Sequence, residues 1–265
     1  MKSFTMKALA VAVLGMAGMS VASAATCPTD PAQSGGGAWS SKSVATDATL
    51  AITSPGLNGT NCALTLSTGA LSNSRAFVSD SSPQNEQRYR ARFYLNTAGL
   101  TSFTVSNQTI NLMRVNDTTG PAQFTSDELV VKTAGGATPT IRFFVSDSNS
   151  ASGATQVAVP LPDNSGNYRI EVDLQIGTGT TNANHGCDAM PATGGCLRVW
   201  VSLAGTATAD NTPSASATVN NAAWSGAKTL FLGMSSGSPG YRSAHAGATL
   251  VFDEFDSRRQ TFIGQ

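Results

Sequence analysis

The chain has 265 residues, only 12% of them charged, and its 16 Lys and Arg balance its 16 Asp and Glu to a formal charge of +0. That balance excludes the basic surface a nucleic-acid binder needs. The length suffices for one well-filled core, most simply a single domain.

The first predicted element is residues 1–24, MKSFTMKALAVAVLGMAGMSVASA. It has a positive start at Lys2 and Lys7, an apolar run over 8–19 and a small-residue cleavage site at Ala22-Ser23-Ala24. This is the pattern of a secretory signal peptide, too short for a membrane span and without a stop-transfer flank. Removing it takes Lys2 and Lys7 away and moves the formal charge from +0 to −2. Residues 25–265 are then expected to form one domain that is secreted, periplasmic or held at the cell surface, with no membrane span.

After the leader the pattern is β throughout. Ser, Thr, Gly, Ala and Asn separate short runs of alternating polarity, and no amphipathic helix or internal repeat stands out. Early strands are expected at 44–52 and 62–67, separated by SPGLNGT. The clearest is 87–96: Tyr89, Ala91, Phe93 and Leu95 share one face, while Arg88, Arg90, Arg92 and Tyr94 share the other. Strands at 109–115, 129–133 and 140–145 follow. In 168–176, Tyr168, Ile170, Val172, Leu174 and Ile176 face inward, opposite Arg169, Glu171, Asp173 and Gln175. In 197–203, Leu197, Val199, Val201 and Leu203 face inward, with Arg198 and Trp200 outward. Strands at 228–233 and 249–255 close the chain. Ten or more strands of this length exceed what one open sheet holds without splitting, so the fold class is an all-β, two-sheet antiparallel β-sandwich.

Four cysteines remain after cleavage: Cys27, Cys62, Cys187 and Cys196. An even count in an exported chain reads as disulfides, with three pairings open. Cys187 and Cys196 bracket the turn-rich DAMPATGG, so a local bridge is the simplest pairing and leaves Cys27 with Cys62. Zinc is the rival use, but the spacing lacks a second close Cys or His pair.

Three late segments resemble the concanavalin A-like lectin/glucanase superfamily in its laminin-G-like branch. They are GNYRIEVDLQIG at 166–177, LRVWVSLAG at 197–205 and LFLGMSSGSPGYRSAHAGATLVFDEFDSRR at 230–259. The earlier RYRARFYL at 88–95 is similar to that family's early strand. The resemblance implies a jelly roll. It does not select a function, because the same fold serves glycan-binding modules, glycosidases, lyases and adhesion domains.

Candidate chemistry lies on the polar strand faces. Glycosidases of the resembled superfamily carry carboxylates at alternate strand positions, where two of them flank a glycosidic bond about 5–5.5 Å apart. Here Asp253 and Glu254 are adjacent, so on a regular strand they point to opposite faces, and Glu171 and Asp173 alternate among Arg169 and Gln175. A lyase site recruiting Tyr94 and His185 is a second enzymatic option, though His185 and His245 both sit in loop-like sequence. The better fit is binding. Arg90, Arg92, Tyr94, Glu171, Asp173, Arg198 and Trp200 would present guanidiniums, carboxylates and two aromatic rings on one sheet face, the groups that pair sugar hydroxyls and stack on a sugar ring. The competing reading is a solvent-facing surface of cross-strand ion pairs. No cofactor is required. Calcium is admissible through oxygen-rich loops at Asp147-Ser148-Asn149 and Asp163-Asn164, with no ligand set assigned. The densest charge, VFDEFDSRRQ at 251–260, reads as the fold's closing strand, its acids neutralised by Arg258 and Arg259. The expectation is an exported, non-catalytic protein that recognises a glycan or cell-surface component. A polysaccharide-acting enzyme and a structural or adhesive protein without a small ligand are the alternatives.

Overall fold

The computed structural model describes residues 26–81, 85–100, 108–117, 128–135, 138–146, 155–161, 166–177, 195–219, 221–258 and 263. Among them, fourteen strands form two sheets. The first half supplies β1 (Ser41–Val44), β2 (Thr49–Thr53), β3 (Ala63–Ser67), β4 (Ala76–Asp80), β5 (Arg88–Asn96), β6 (Thr109–Asn116) and β7 (Glu128–Ala134). The second half supplies β8 (Thr140–Ser146), β9 (Thr155–Pro160), β10 (Asn167–Gln175), β11 (Gly195–Leu203), β12 (Ala215–Val219), β13 (Thr229–Met234) and β14 (Thr249–Arg258). The seven-stranded sheets have the orders β1-β4-β13-β6-β7-β8-β9 and β12-β11-β10-β5-β14-β3-β2, antiparallel throughout. We call them the first and second sheets.

The core is the interleaving of two alternating faces. Tyr89, Ala91, Phe93 and Leu95 of β5 and Tyr168, Ile170, Val172 and Leu174 of β10 meet Ile110, Val115, Val131, Phe143 and Leu232 of the first sheet, all buried. Phe93 packs on Phe252 with ring centroids 5.9 Å apart. In β6 the register shifts between Asn111 and Met113, so the neighbours Leu112 and Met113 are both buried. A bulge of this kind lets two consecutive side chains serve one core. Gly233, in the interior of β13, has φ +123°, and a Cβ there would lie 2.7 Å from the Ala76 carbonyl oxygen. Only glycine fits so close to the neighbouring strand.

Several expectations need correction. The single early strand expected at 44–52 is two, β1 in the first sheet and β2 in the second, with a turn between them. Strands β4, β9 and β12 were not expected. A short helix, α1 (Pro239–His245), occupies a stretch that reads as loop. Ser238 caps it by accepting the Tyr241 N–H at 3.1 Å, and Pro239 sits at its start, where its missing N–H costs nothing.

Cys27 and Cys62 form a disulfide, tying the segment before β1 to the start of β3. Cys196 is also disulfide-bonded. Cys187 lies outside the described residues, as do His185 and the loops at 147–149 and 163–164. Among the described residues, no helix is long and apolar enough to cross a membrane.

The closing strand departs most from simple alternation. Its register against β5 shifts between Asp253 and Asp256, and Glu254 adopts φ 46° within that bulge. Asp253 and Asp256 are consequently opposite Tyr94 and Arg92, on the same face of the sheet. Among the described residues Asp253 pairs with no arginine, and Arg259 lies outside them. One carboxylate oxygen accepts the Leu57 N–H at 2.6 Å and the Thr60 hydroxyl, and the other accepts the Glu254 N–H at 2.7 Å. It therefore organises the 57–60 turn from almost two hundred residues away in sequence. Arg258 pairs with Asp256 at 2.9 Å instead. Because the lost bonds all go to an ionised acceptor, Asp253→Ala is expected to lower the unfolding free energy by about 1.5–3 kcal/mol, read as a reduced urea midpoint at unchanged slope.

Candidate functional site: an arginine layer on the outer face of the second sheet

The centre of the second sheet is β11-β10-β5-β14, and the residues on its outer face stand in cross-strand rows. One row runs Arg258, Arg90, Asp173, Arg198. The next runs Asp256, Arg92, Glu171, Trp200, and the third runs Asp253, Tyr94, Arg169, Ser202. The rows arise because three strands that alternate apolar and polar residues pair without a break in register between β5, β10 and β11. All seven residues expected to share a face do so.

They are not, however, on an open surface. Arg90, Arg169, Glu171 and Trp200 are 0% exposed, Asp173 and Arg198 are 3% exposed and Tyr94 is 4% exposed. Both the platform of exposed rings and its rival, a solvent-facing set of ion pairs, are therefore corrected. What covers the face is the segment 204–214, between β11 and β12, together with Ile263. The Trp200 indole N–H donates to the Ala209 carbonyl at 3.0 Å, and Arg169 donates to the Thr208 hydroxyl. The Asp210 carboxylate accepts from Arg90 at 2.8 Å and from Arg198 at 3.3 Å. The Ile263 N–H donates to Glu171 at 3.0 Å.

Within the layer the charges are ordered. Asp173 accepts two bonds from Arg88, at 2.9 and 2.8 Å, and two from Arg198, at 3.2 and 2.7 Å. Burial pushes its carboxyl up, but the hydrogen bonds from Arg88 and Arg198 and the charges of Arg90 and Arg88 outweigh burial and hold it below the usual carboxylate range. Two arginines bonded to one carboxyl favour its ionised form, the reverse of the raised pKa that a glycosidase's general acid has. The Arg90 and Arg198 guanidinium carbons each lie 5.1 Å from the Trp200 ring centroid. Such desolvated cation–π contacts contribute about 2 kcal/mol at their strongest.

The third row is the incomplete one. Arg169 is fully buried, yet its Nε and Nη1 make no hydrogen bond among the described residues, and neither does the Ser202 hydroxyl opposite it. Burial lowers the Arg169 pKa and the nearby Arg92 lowers it further, against the raising effect of Glu171 and Tyr94. Arg92, half-buried, lies with its guanidinium carbon 5.4 Å from the Tyr94 ring centroid. In all, six arginines (Arg88, Arg90, Arg92, Arg169, Arg198 and Arg258) share this face with five carboxylates (Glu171, Asp173, Asp210, Asp253 and Asp256).

The described histidine, His245, takes no part. It lies in α1, 3.1 Å from the Gln108 amide oxygen and stacked on Tyr241. Among the described residues, no three His, Cys, Asp or Glu side chains cluster closely enough to hold a metal ion. Sequence reasoning missed Asp210 and the covering segment. Their one signal is the polar TADNTPS run between two strands, visible only once β12 is recognised as the returning strand.

The two packed antiparallel sheets have the concanavalin A-like jelly-roll fold. No protein-family model matches the sequence, and no curated protein does. Among solved structures the chain is similar to an endo-β-1,4-glucuronan lyase from the fungus Trichoderma reesei, at 11% identity and a TM-score of 0.51, over 88% of this chain and 94% of that one. It is also similar to the cellulose induced protein Cip1, at 13% identity and a TM-score of 0.47, over 84% and 91% of the two chains. A third similar structure is the alginate lyase vAL-1 from Chlorella virus, at 10% identity and a TM-score of 0.45, over 86% and 96%. Identities this low speak for the fold alone.

Proposed function

We propose that the protein is an exported binding protein for an acidic glycan, engaged through the arginine layer of the second sheet. The observation that carries this reading is Arg169, whose Nε and Nη1 make no hydrogen bond among the described residues. A buried arginine with two unused donor nitrogens, next to the half-buried Arg92, is a site for a carboxylate. A uronate supplies that group at every sugar. The disulfide and the leader at 1–24 agree with function outside the cytoplasm.

Titration calorimetry with a polyuronate, against a neutral β-glucan, tests the reading. Binding should be selective for the acid and should weaken with added salt. In Arg169→Ala it should weaken by at least about tenfold, the loss of about 1.4 kcal/mol or more that a charge-assisted pair represents. Equal affinity for the neutral glucan would overturn it.

A second reading is favoured by one contact. Tyr94 stands directly opposite Arg169 in the same row, with Arg92 beside both. An arginine that neutralises a uronate carboxylate acidifies the adjacent C–H. The neighbouring tyrosine oxygen, as phenolate, takes that proton while a C=C bond forms and the C–O bond to the leaving sugar breaks, and the phenol so formed returns the proton to the leaving oxygen. The glucuronan lyase with the similar fold acts on such a polymer. Appearance of the unsaturated product's ultraviolet absorbance during incubation with a polyuronate would assign β-elimination rather than binding alone.

A further inference from the structure

A second concavity lies away from the arginine layer. At one end of the sandwich, where β3 begins, β4 ends and β14 bulges, a cavity of about 280 Å3 opens between the sheets. Its apolar wall includes Leu232 and Phe252, and its mouth carries Trp39 and Phe255, whose rings meet at a tilt of 50° with centroids 4.9 Å apart. Asp80, Asp253 and Glu254 also line it, and no lysine or arginine does among the described residues.

The three carboxylates differ in what they already hold. Asp253 is consumed by Leu57, Thr60 and Glu254. Asp80 has an interaction within the fold. The Glu254 carboxylate makes no hydrogen bond or ion pair among the described residues. Glu254 is also the residue held at φ 46° in the bulge of β14. A side chain in the left-handed region costs about 1 kcal/mol or more, and bulges commonly re-aim a side chain at a site. The strain thus coincides with the one available charge and with a paired aromatic mouth. The acids are too dispersed for a metal ion, since no three of them cluster. Calcium would need six to eight oxygens around one point.

We propose that this cavity binds a small organic cation, an ammonium group carried on an apolar body. The ammonium sits against the Trp39 and Phe255 faces, where ring quadrupoles attract positive charge, with Glu254 as its counter-ion. The apolar body fills the space against Leu232 and Phe252. The volume is at the small end of ligand pockets, which limits the body to about one ring. The cavity shares Asp253 with the third row of the arginine layer, but none of that layer's arginines lines it.

Calorimetric titration with benzyltrimethylammonium, set against benzyl alcohol as a neutral body carrying the same ring, reads the proposal. Saturable binding of the ammonium and none of the alcohol is the expected result. Glu254→Gln should weaken the ammonium by about tenfold, and Phe255→Leu should weaken it as well while retaining an apolar filler. Melting curves of both variants separate loss of binding from loss of fold. Equal binding of benzyl alcohol, no binding of the ammonium at millimolar concentration, or an unchanged Kd in a folded Glu254→Gln would overturn the proposal.

Discussion

Asp173→Ala is expected to lower the unfolding free energy by about 3–5 kcal/mol, the usual consequence of removing one partner from a buried charge cluster. The carboxylate is 3% exposed and accepts four bonds from Arg88 and Arg198, with the Arg90 Nε 3.8 Å away. Its removal leaves three guanidiniums together under the 204–214 segment with only Glu171 and Asp210 to balance them. Urea denaturation followed by circular dichroism measures the loss. The pH dependence carries an independent signature. Asp173 has a folded pKa below its usual 3.8, so its stabilising contribution is complete above the unfolded value of about 3.9 and is lost as pH falls through the folded one. The wild-type stability profile should therefore drop steeply below about pH 4, and the drop should be shallower in Asp173→Ala. A loss of under about 1 kcal/mol, the range of an exposed pair, would contradict the layer's burial.

Trp200→Ala should cost a similar amount, about 3–5 kcal/mol, as large aromatic deletions in packed interiors do. The ring is 0% exposed, touches the Arg90 and Arg198 guanidiniums, and donates through its N–H to the Ala209 carbonyl. The deletion therefore removes packing, two cation–π contacts and the hydrogen bond that fastens the covering segment. Trp200→Phe keeps the stack and drops only the N–H, so it should lose about 1 kcal/mol from the hydrogen bond plus a smaller packing loss. Trp200 is on these grounds a structural residue of the layer, and ligand binding measured on Trp200→Ala would report unfolding. Arg169 also holds Thr208 of the covering segment, so a melting curve of Arg169→Ala is needed beside its binding isotherm to separate loss of ligand contact from loss of that bond.

Much of this was readable from residue order. The inward faces of β5 and β10 were correct because their apolar residues recur at a period of two over nine residues, and a buried face tolerates no slip of one position. The same alternation put Arg90, Arg92, Tyr94, Glu171, Asp173, Arg198 and Trp200 on the opposite face. Alternation separates two faces; it does not say what lies over either of them. The cover comes from a polar loop whose role depends on Asp210 reaching two arginines far away in sequence, and no periodicity encodes that contact. The strand β12 (Ala215–Val219) escaped notice because ASATV has almost no large apolar residues, and β4 because its AFVSD is short and half polar. The helix α1 escaped because seven residues containing Gly240 and two serine neighbours show no helical stripe, although Ser238-Pro239 was a start signal in plain view. The bulge at Glu254 was hidden because a glutamate at positive φ leaves no compositional mark where a glycine would have.

The second sheet is enclosed on both sides, by hydrocarbon on one and by guanidinium, carboxylate and indole on the other. Unfolding it exposes both kinds of surface at once. Apolar exposure raises the heat capacity by about 0.45 cal/K/mol per Å2, whereas polar exposure lowers it by about 0.26. The arginine layer thus offsets part of the heat-capacity increment of the sandwich core. The free-energy curve of this protein is accordingly broader in temperature than that of a jelly roll whose outer face lies bare in water. The hydration of charged groups also becomes less favourable on warming, so the desolvation cost of that layer falls as temperature rises.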